Sequence, residues 1–394
     1  MLNNRANKFV VCVAAMMFSN SVFAVASPED VFVDAWAVLC TGQGSSGSDL
    51  DILCGSGVLT GGSAGVAAAG NNGGVFSGTG NSTLNSDRHN KKSLEERKKA
   101  IKKQGAAGDI FSAERLGFFA SGRLTEIDRA DTVLEKGYDS DVHGFNVGMD
   151  YIFNEQFVAG ITVGYTDTDL DYNRNAGDTN NESVSVLVFA NYNLTDNFII
   201  DGYLGWTGMD FDQRRRISGF AGLNTFALSA PTANKFLSGL NLSYVQSFGA
   251  LQITPLIKLD YSGTYIDGYT ETTGSGLALR FKHQDIQSFK SHLGFDTSYA
   301  ISVPWGVLLP RVQGSYVHEF LDQRRTISAT FVQDVTGTSL NFQTDKPDRD
   351  YFIIGGSVST VLTQSIQMFV DYERIEGHRY LNSYTVSGGV RVGF

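Results

Sequence analysis

The sequence is poor in the residues from which metal sites and catalytic centres are built. It has three cysteines and six histidines among 394 residues, and their spacing matches no zinc site. The part of the chain before residue 90 contains one histidine, His89, and no esterase-type block of motifs. We therefore predict no catalytic residue, no cofactor and no metal site, and we expect a function other than catalysis.

Long apolar runs are also scarce. The run Phe9–Phe18 follows Arg5 and Lys8, and it precedes small residues that suit cleavage after Ala24, with Ala26 as the alternative. This pattern is typical of a secretory signal peptide, to which we assign residues 1–24. No later run is long and apolar enough for a transmembrane helix, so we expect none in the mature chain.

Basic residues are fewer than acidic residues. The chain has 31 basic and 41 acidic residues, which give a formal net charge of −10. Proteins that bind nucleic acids present a basic face to the phosphates. We therefore predict that nucleic acid is not a partner.

Glycine and small polar residues dominate the segment 25–90, which includes the stretch GVLTGGSAGVAAAGNNGG. So few large apolar side chains cannot build much of a core, and we predict a short flexible segment. Cys40 and Cys54 lie in this segment. In an oxidising exported compartment we expect them to form a disulfide.

A helix is signalled within residues 91–114, in the stretch SLEERKKAIKKQG. Ser93 and Glu96 have the spacing of a capping box, and Gly105 suits the position after the last turn. Basic residues surround the predicted helix Ser93–Gln104, which has no apolar face to bury. The helix therefore needs a wet environment, either inside a water-filled lumen or free in the periplasm.

From residue 115 to residue 394 apolar and polar residues alternate. Phe157, Ile161 and Tyr165 share one face of a strand with Thr162 and Thr166 on the other. About twelve stretches show this pattern: Leu116–Thr125, Val142–Phe153, Gln156–Thr166, Ser183–Asn193, Phe198–Met209, Phe236–Val245, Ala250–Ser262, Ser288–Ile301, Val307–Phe320, Tyr351–Val361, Ser365–Glu373 and Thr385–Phe394. Strands of this length with aromatic ends favour an all-β transmembrane barrel over a soluble sandwich.

The connections between these strands alternate between short turns and long polar loops. Turns near Asn154, Asp196 and Gly249 separate loops such as Asp171–Asn181 and Leu321–Asp348. This alternation predicts antiparallel strands with turns on the periplasmic side, and the last strand closing against the first. The polar residues expected to face the lumen are Asp150, Asp201, Asp260, Asp296, Arg311, Glu319, Asp371, Glu373 and Arg391.

Three stretches resemble the autotransporter family of type V secretion. ITPLIKLDYSGTYIDGYTETTGSGLALRF is similar to the family's strand and DGYTE loop, and LLPRVQGSYVHEF is similar to its strand ending in His-Glu-Phe. The end SYTVSGGVRVGF is similar to its terminal strand. The resemblance covers residues 115–394.

The resemblance implies a barrel of twelve strands in the outer membrane of a Gram-negative cell, with a helix in the lumen that leads to an exported passenger. Residues 25–90 would then be a short passenger-like segment at the surface or in the lumen, with a role in adhesion or another surface interaction. It also implies assembly by the outer-membrane insertion machinery, with Val390, Val392 and Phe394 in the terminal strand as the insertion signal.

We further expect periplasmic chaperones, outer-membrane lipid and lipopolysaccharide as partners, and a monomer. Two other functions stay open at this point. One is a porin-like channel that the helix plugs, and the other is a membrane-embedded hydrolase.

Overall fold

The computed structural model describes residues 26–42, 54, 115–218, 223–273, 275–362 and 366–394. It contains the helix α1 (Pro28–Gly42) and the strands β1 (Leu116–Arg129), β2 (Tyr138–Ile152), β3 (Phe157–Tyr172), β4 (Gly177–Asn193), β5 (Phe198–Ser218), β6 (Asn224–Ser229), β7 (Thr232–Tyr244), β8 (Gln246–Phe248), β9 (Leu251–Ile266), β10 (Tyr269–Thr270), β11 (Leu279–Phe281), β12 (Gln284–Tyr299), β13 (Ile301–Val303), β14 (Gly306–Glu319), β15 (Thr326–Phe331), β16 (Ser339–Gln343), β17 (Asp350–Leu362), β18 (Ile366–Glu376) and β19 (Leu381–Gly393).

Twelve long strands form a closed antiparallel barrel, in the order β1, β2, β3, β4, β5, β7, β9, β12, β14, β17, β18 and β19. Closure is made between the first and last of them, where Phe118 lies opposite Val392 and Arg129 opposite Leu381. The predicted twelve-stranded barrel and its closing pair are thus confirmed. Closure leaves no long edge strand for pairing with another chain.

Side chains alternate between the two faces of the barrel wall, with the large apolar ones outside. On β2, Phe145, Val147 and Met149 are exposed, whereas Asn146 and Asp150 are buried. This distribution is the reverse of a soluble protein and is what a wall with lipid outside and water inside requires. Among the described residues, no helix is long and apolar enough to cross a bilayer.

Short connections lie at one end of the barrel, which we call the turn end. Asn154 Oδ1 accepts hydrogen bonds from the amides of Gln156 and Phe157, and Thr195 Oγ1 does the same for Asn197 and Phe198. Such local bonds let the chain reverse within a few residues. Aromatic rings contact one another along this rim: Tyr151, Phe153, Phe157, Tyr192, Phe198 and Tyr244.

The opposite end, which we call the loop end, carries additional structure. The strands β10, β11, β15 and β16 form a separate sheet, which we call the loop sheet. An isolated bridge between Leu228 and Thr272 joins β6 to the chain beside this sheet. The loop sheet, β6 and α1 together are called the cap below. Three long connections, those after β5, β9 and β14, therefore converge on one structure.

Several strands extend further toward the loop end than the sequence pattern predicted. The predicted loop Asp171–Asn181 is mostly strand, because β3 continues to Tyr172 and β4 begins at Gly177. Only a 3-10 turn at Asn173–Asn175 separates them. Apolar alternation stops at the edge of the lipid, but strand pairing continues beyond it.

A closed ladder of this kind should survive in detergent. Because each barrel strand is hydrogen-bonded on both sides, unfolding in sodium dodecyl sulfate needs heat to break the whole ladder at once. We expect the unheated protein to migrate faster than the boiled protein on a gel. Equal migration of the two samples would contradict the closed barrel.

Candidate functional site

The barrel encloses a cavity of 710 Å³. Toward the turn end it is lined by residues such as Asn191 and Gln252, and toward the loop end by Arg324 and Asp348. Most of the residues that line it are polar or charged, because the inward-pointing residues of each strand alternate with the apolar residues that face outward. This lumen is the first part of the candidate site.

Acidic and basic side chains pair along the inner wall. Arg391 on β19 donates to Asp150 on β2 at 3.1 Å, and both side chains are almost completely buried. The pair spans the intervening strand β1 at Gly117, where a Cβ atom would come within 2.4 Å of the Arg391 guanidinium. Arg311 Nε lies 3.3 Å from Asp296. Pairing of this kind offsets the cost of removing charges from bulk water.

Asp260 on β9 contacts several inward-facing side chains. Tyr203 donates its hydroxyl to Asp260 at 2.7 Å, and Lys258 Nζ and His292 Nε2 each lie 3.2 Å away. Gly239 lies beneath the Tyr203 ring, and a Cβ atom there would be only 2.3 Å from it. Glycine at this position therefore allows the tyrosine to reach the carboxylate.

The structure places the remaining predicted lumenal residues as follows. Asp201 accepts from Asn241 Nδ2 at 2.9 Å. Glu319 accepts from the Ser288 hydroxyl at 2.5 Å and from the Phe289 amide at 2.9 Å. Asp371 is completely buried on the inner face. Glu373 is partly buried and lines the cavity.

The inner wall is not predominantly acidic, although seven of the nine residues predicted from sequence to face the lumen are acidic. Basic side chains also face inward, namely Arg123, Lys235, Lys258, Lys290, Arg311 and Arg391. A wall largely screened from solvent needs nearly balanced charge, because an unpaired buried ion is costly. The charge of the inner wall therefore gives no reason to place a basic helix in the lumen rather than in the periplasm. The helix itself, Ser93–Gln104, lies outside the described residues.

The acidic surplus lies on the outer surface at the loop end. Asp141 on β2 is opposite Glu126 on β1 and Asp169 on β3, while Asp139 is opposite Asp128 and Asp171. Farther along, Glu182 on β4 is opposite Asp167 on β3 and Asp210 on β5. We call these aligned carboxylates the acidic rows. Among the described residues, no group of potential ligands is arranged to hold a metal ion.

A buried network closes part of the loop end. Arg129 at the end of β1 contacts Glu135 at 2.6 Å and Asp345 at 2.9 Å, and Thr132 donates to Asp345 at 2.6 Å. Burial, together with the nearby Glu135 carboxylate, raises the pKa of Asp345 despite these contacts. Burial also lowers the pKa of Arg325. The loop after β1 is thereby tied to the segment after β16.

The helix α1, which the sequence pattern of the glycine-rich segment did not predict, begins with a complete set of start signals. Ser27 Oγ accepts from the Asp30 amide at 3.2 Å, and the Asp30 carboxylate accepts from the Ser27 amide at 3.1 Å. This is a capping box with Pro28 in the first helical position. The Ser27 hydrogen bonds lower the pKa of Asp30. The segment 25–90 was predicted to be flexible, and this is wrong for residues 28–42.

One face of α1 packs on the rest of the cap. Phe32, Ala35, Trp36 and Leu39 are buried, and the rings of Phe32 and Trp36 both meet Phe331 of β15 edge-on. The remaining members of the cluster are Ile217, Ala227, Tyr269, Leu277, Leu279, Phe281, Ile327, Ala329, Leu340 and Phe342. The helix is therefore attached to strands that belong to the barrel's own loops.

The predicted disulfide between Cys40 and Cys54 is present. Both cysteines are partly buried against the same cluster. Cys54 therefore fixes the chain at the loop end, beside the cap.

The chain runs from the loop end, where α1 and Cys54 lie, to the turn end, where β1 begins. Arg115 lies at the turn end, where its carbonyl accepts from the Ile152 amide at 2.8 Å. Leu116 is opposite Tyr151 at the same end. Residues 55–114 therefore connect the loop end to the turn end.

Other residues singled out from the sequence face outward. His318 Nδ1 lies 2.7 Å from Asp350, and Tyr316 donates to the same carboxylate. Val390 and Phe394 are exposed and Val392 is partly exposed on the outer face of the closing strand, where the Phe394 ring meets Phe118 at 6.0 Å.

Sequence and structure comparisons give a consistent result for the barrel. The family model described as autotransporter beta-domain matches residues 118–373. Outer membrane protein A of Rickettsia rickettsii is 24% identical over 267 residues, which are 65% of this chain and 12% of that protein. Lipase 1 of Photorhabdus luminescens is 26% identical over 148 residues, which are 37% of this chain and 22% of that protein. The chain thus spans well under two thirds of the length of these relatives.

The fold is also that of a solved barrel. The translocator domain of the autotransporter NalP from Neisseria meningitidis superposes with a TM-score of 0.57 at 12% identity. The match covers 78% of this chain and 98% of that one. At this identity the likeness shows the fold alone.

Proposed function

The chain belongs to the autotransporter family, and on this premise we propose that its barrel has exported its own N-terminal segment and displays it at the cell surface. The family places the barrel in the outer membrane of a Gram-negative cell. Turns of such barrels face the periplasm and loops face outward. The loop end, with its cap, is then the extracellular end.

The observation that carries this proposal is the position of α1. The helix and Cys54 lie at the loop end, whereas β1 begins at the turn end. Residues 55–114 must join these two ends, and outside the barrel they would meet lipid, where unpaired backbone groups are costly. The route that avoids this cost is the polar lumen, and it would have carried the N-terminal segment across the membrane.

Labelling of intact cells tests the proposal. An epitope tag inserted between Ala26 and Ser27, ahead of α1, should bind antibody on intact cells. A matched tag in the turn between Asn154 and Glu155 should bind antibody only after the outer membrane is permeabilised. If the tag before Ser27 also needs permeabilisation, the N-terminal segment has stayed inside and display is wrong.

The proposed role is transport and display rather than catalysis, with an adhesive or other surface interaction for the displayed part. Family members work with the outer-membrane insertion machinery. We propose that Val390, Val392 and Phe394 are the signal read on the terminal strand, which is supported by their position on the outer face of β19. Periplasmic chaperones would escort the unfolded chain, and the barrel would act as a monomer in contact with lipid and lipopolysaccharide.

A second candidate function is a porin-like channel, which the 710 Å³ cavity favours. In that case Ser93–Gln104 would act as a plug. Deleting these residues should raise single-channel conductance in planar bilayers markedly, since ions would then cross a polar, charge-paired lumen. The remaining linker is still long enough to span the barrel, because an extended chain covers about 3.3 Å per residue.

The control for this prediction is a deletion of equal length in the glycine-rich stretch, residues 61–72. It shortens the chain equally but leaves the basic residues in place. Equal conductance of the parent protein and the variant lacking Ser93–Gln104 would show that these residues do not block the pore.

A further inference from the structure

We propose that the loop sheet is a docking surface for the protein's own N-terminal segment and holds it non-covalently on the cell surface. The inference rests on the proposed function and extends it. The displayed segment is a bound part of the cap rather than a free tether. If the chain is cut after Cys54, α1 should stay attached to the barrel.

The contact is formed by an apolar face of α1 and an apolar face of the loop sheet. On α1 the buried residues Phe32, Ala35, Trp36 and Leu39 follow the spacing of one helix face, with Trp36 only 1% exposed. On the loop sheet, Leu279, Phe281, Ile327, Phe331, Leu340 and Phe342 are each at most 3% exposed. The contact therefore resembles a protein interior rather than a loose surface contact.

The loop sheet would be unsuited to water without α1. Its strands come from two separate loops of the barrel, and their shared apolar face would form an exposed patch at the loop end. Patches of this kind on soluble surfaces mark binding sites. The structure shows the occupant, since α1 covers the patch and packs against β15 and β16.

The opposite side of α1 is built differently. Asp30, Asp34 and Val38 are exposed, and Val38 reaches 61%. The helix thus has one binding face. Val38 supplies a control position on the exposed side of the same helix.

The disulfide makes the bound unit self-contained. Cys40 near the end of α1 is joined to Cys54, and both pack on the cap cluster. A cut beyond Cys54 leaves a fragment that keeps the helix, the cross-link and both cluster contacts. Nothing covalent would then connect this fragment to β1.

The test uses the full-length protein on cells. The tag between Ala26 and Ser27 is combined with a site for a specific protease, flanked by short spacers, inserted after Gly57. Gly57 is three residues from Cys54 and so at most about 11 Å from the cap. After cleavage on intact cells and washing, we expect most of the tag to remain on the cells.

Two variants separate packing from other causes. In Trp36→Asp, the carboxylate would be buried in the apolar cluster, so the cut fragment should be washed away, with about tenfold less tag retained. Val38→Asp should retain as much tag as the parent. Trp36→Ala, which leaves a cavity instead of a charge, should give intermediate retention and serves if the aspartate variant is not exported.

The outcomes separate this inference from the proposed function. Loss of the tag from the cut parent overturns docking, whatever the variants do. Equal retention by the parent and by both Trp36 variants also overturns it, because retention would not depend on this contact. Absence of the tag from uncut parent cells would instead refute display itself.

Discussion

Replacing Val390 with aspartate is expected to abolish most insertion of the barrel into the outer membrane. Val390 is 37% exposed on the outer face of β19, in a strand that closes the barrel against β1. There the carboxylate would face hydrocarbon, where an aspartate costs up to about 3 kcal/mol at the membrane centre and less toward the interfaces. The amount of heat-modifiable barrel in purified outer membranes measures the effect.

Ser387→Asp is the matched control on the same strand. Ser387 is 6% exposed on the inner face, opposite Arg123 on one side and Asp371 on the other. The new carboxylate there would be repelled by Asp371, but it would also be attracted by the Arg123 guanidinium and would not face hydrocarbon, so insertion should fall much less. Equal loss in both variants would mean that the two faces of β19 are not distinguished by lipid.

Arg215→Ala is expected to detach the loop sheet from the barrel wall. Arg215 on β5 binds Glu271 through two bonds of 2.8 and 2.6 Å and also donates to the Leu277 carbonyl at 3.2 Å. Glu271 in turn accepts from the Leu279 amide at 3.0 Å. Removing one partner of such a buried pair costs about 3–5 kcal/mol, because the other charge is left uncompensated.

Limited proteolysis of purified barrels should show this as rapid cleavage within residues 267–283, with the membrane strands intact. Arg214→Ala is the neighbouring control. Its guanidinium binds Asp178 on the outer surface but is 60% exposed, and pairs of this kind contribute at most about 1 kcal/mol. Similar cleavage rates for Arg214→Ala and Arg215→Ala would show that the buried pair does not anchor the cap.

The barrel could be predicted from sequence because its signal is local and repeated. Alternation with a period of two fixes which residues face lipid, and each strand carries it independently of its neighbours. The ends of β3 and β4 were missed for the same reason. Beyond the lipid edge the outward residues become Asp169 and Asp171, so apolar alternation stops although pairing continues.

The cap could not be predicted in this way. Its strands are short, β10 having two residues and β11 three, and they pair with partners from distant loops. The apolar residues of α1 have no surface to pack against until the loop sheet has formed. The signal that could have found α1 was present, however, in Ser27, Pro28 and Asp30 followed by Phe32, Trp36 and Leu39.

The DGYTE stretch resembles a family motif, and the structure supplies the physical reason for these residues. Tyr269 packs against Phe281 with ring centroids 4.7 Å apart, and Glu271 holds Arg215. The motif therefore attaches the loop sheet to β5. Sequence alone could mark these residues, but it could not name their partners.

Counting charges had a similar limit. The net charge of −10 follows from the composition. Where the surplus acidic residues lie depends on which acids have basic partners, and composition does not show this. Inward acids are matched by inward bases, as with Asp150 and Arg391. The acidic rows lie instead on the outer surface, where carboxylates stand opposite other carboxylates.

Closure of β1 on β19 also determines which comes first, formation of the disulfide or completion of the barrel. The ring cannot be completed until β19 has been synthesised, whereas α1, with Cys40, and then Cys54 leave the ribosome earlier. At about 5–20 residues per second, roughly tens of seconds separate Cys54 from β19. The cysteines therefore reach the oxidising periplasm before any pore exists, and a pulse-chase experiment should show oxidation preceding exposure to external antibody. On the proposed function, the N-terminal segment would then cross the barrel with the Cys40–Cys54 cross-link already formed, and the width of this cross-linked loop would set the minimum diameter of the pore during export.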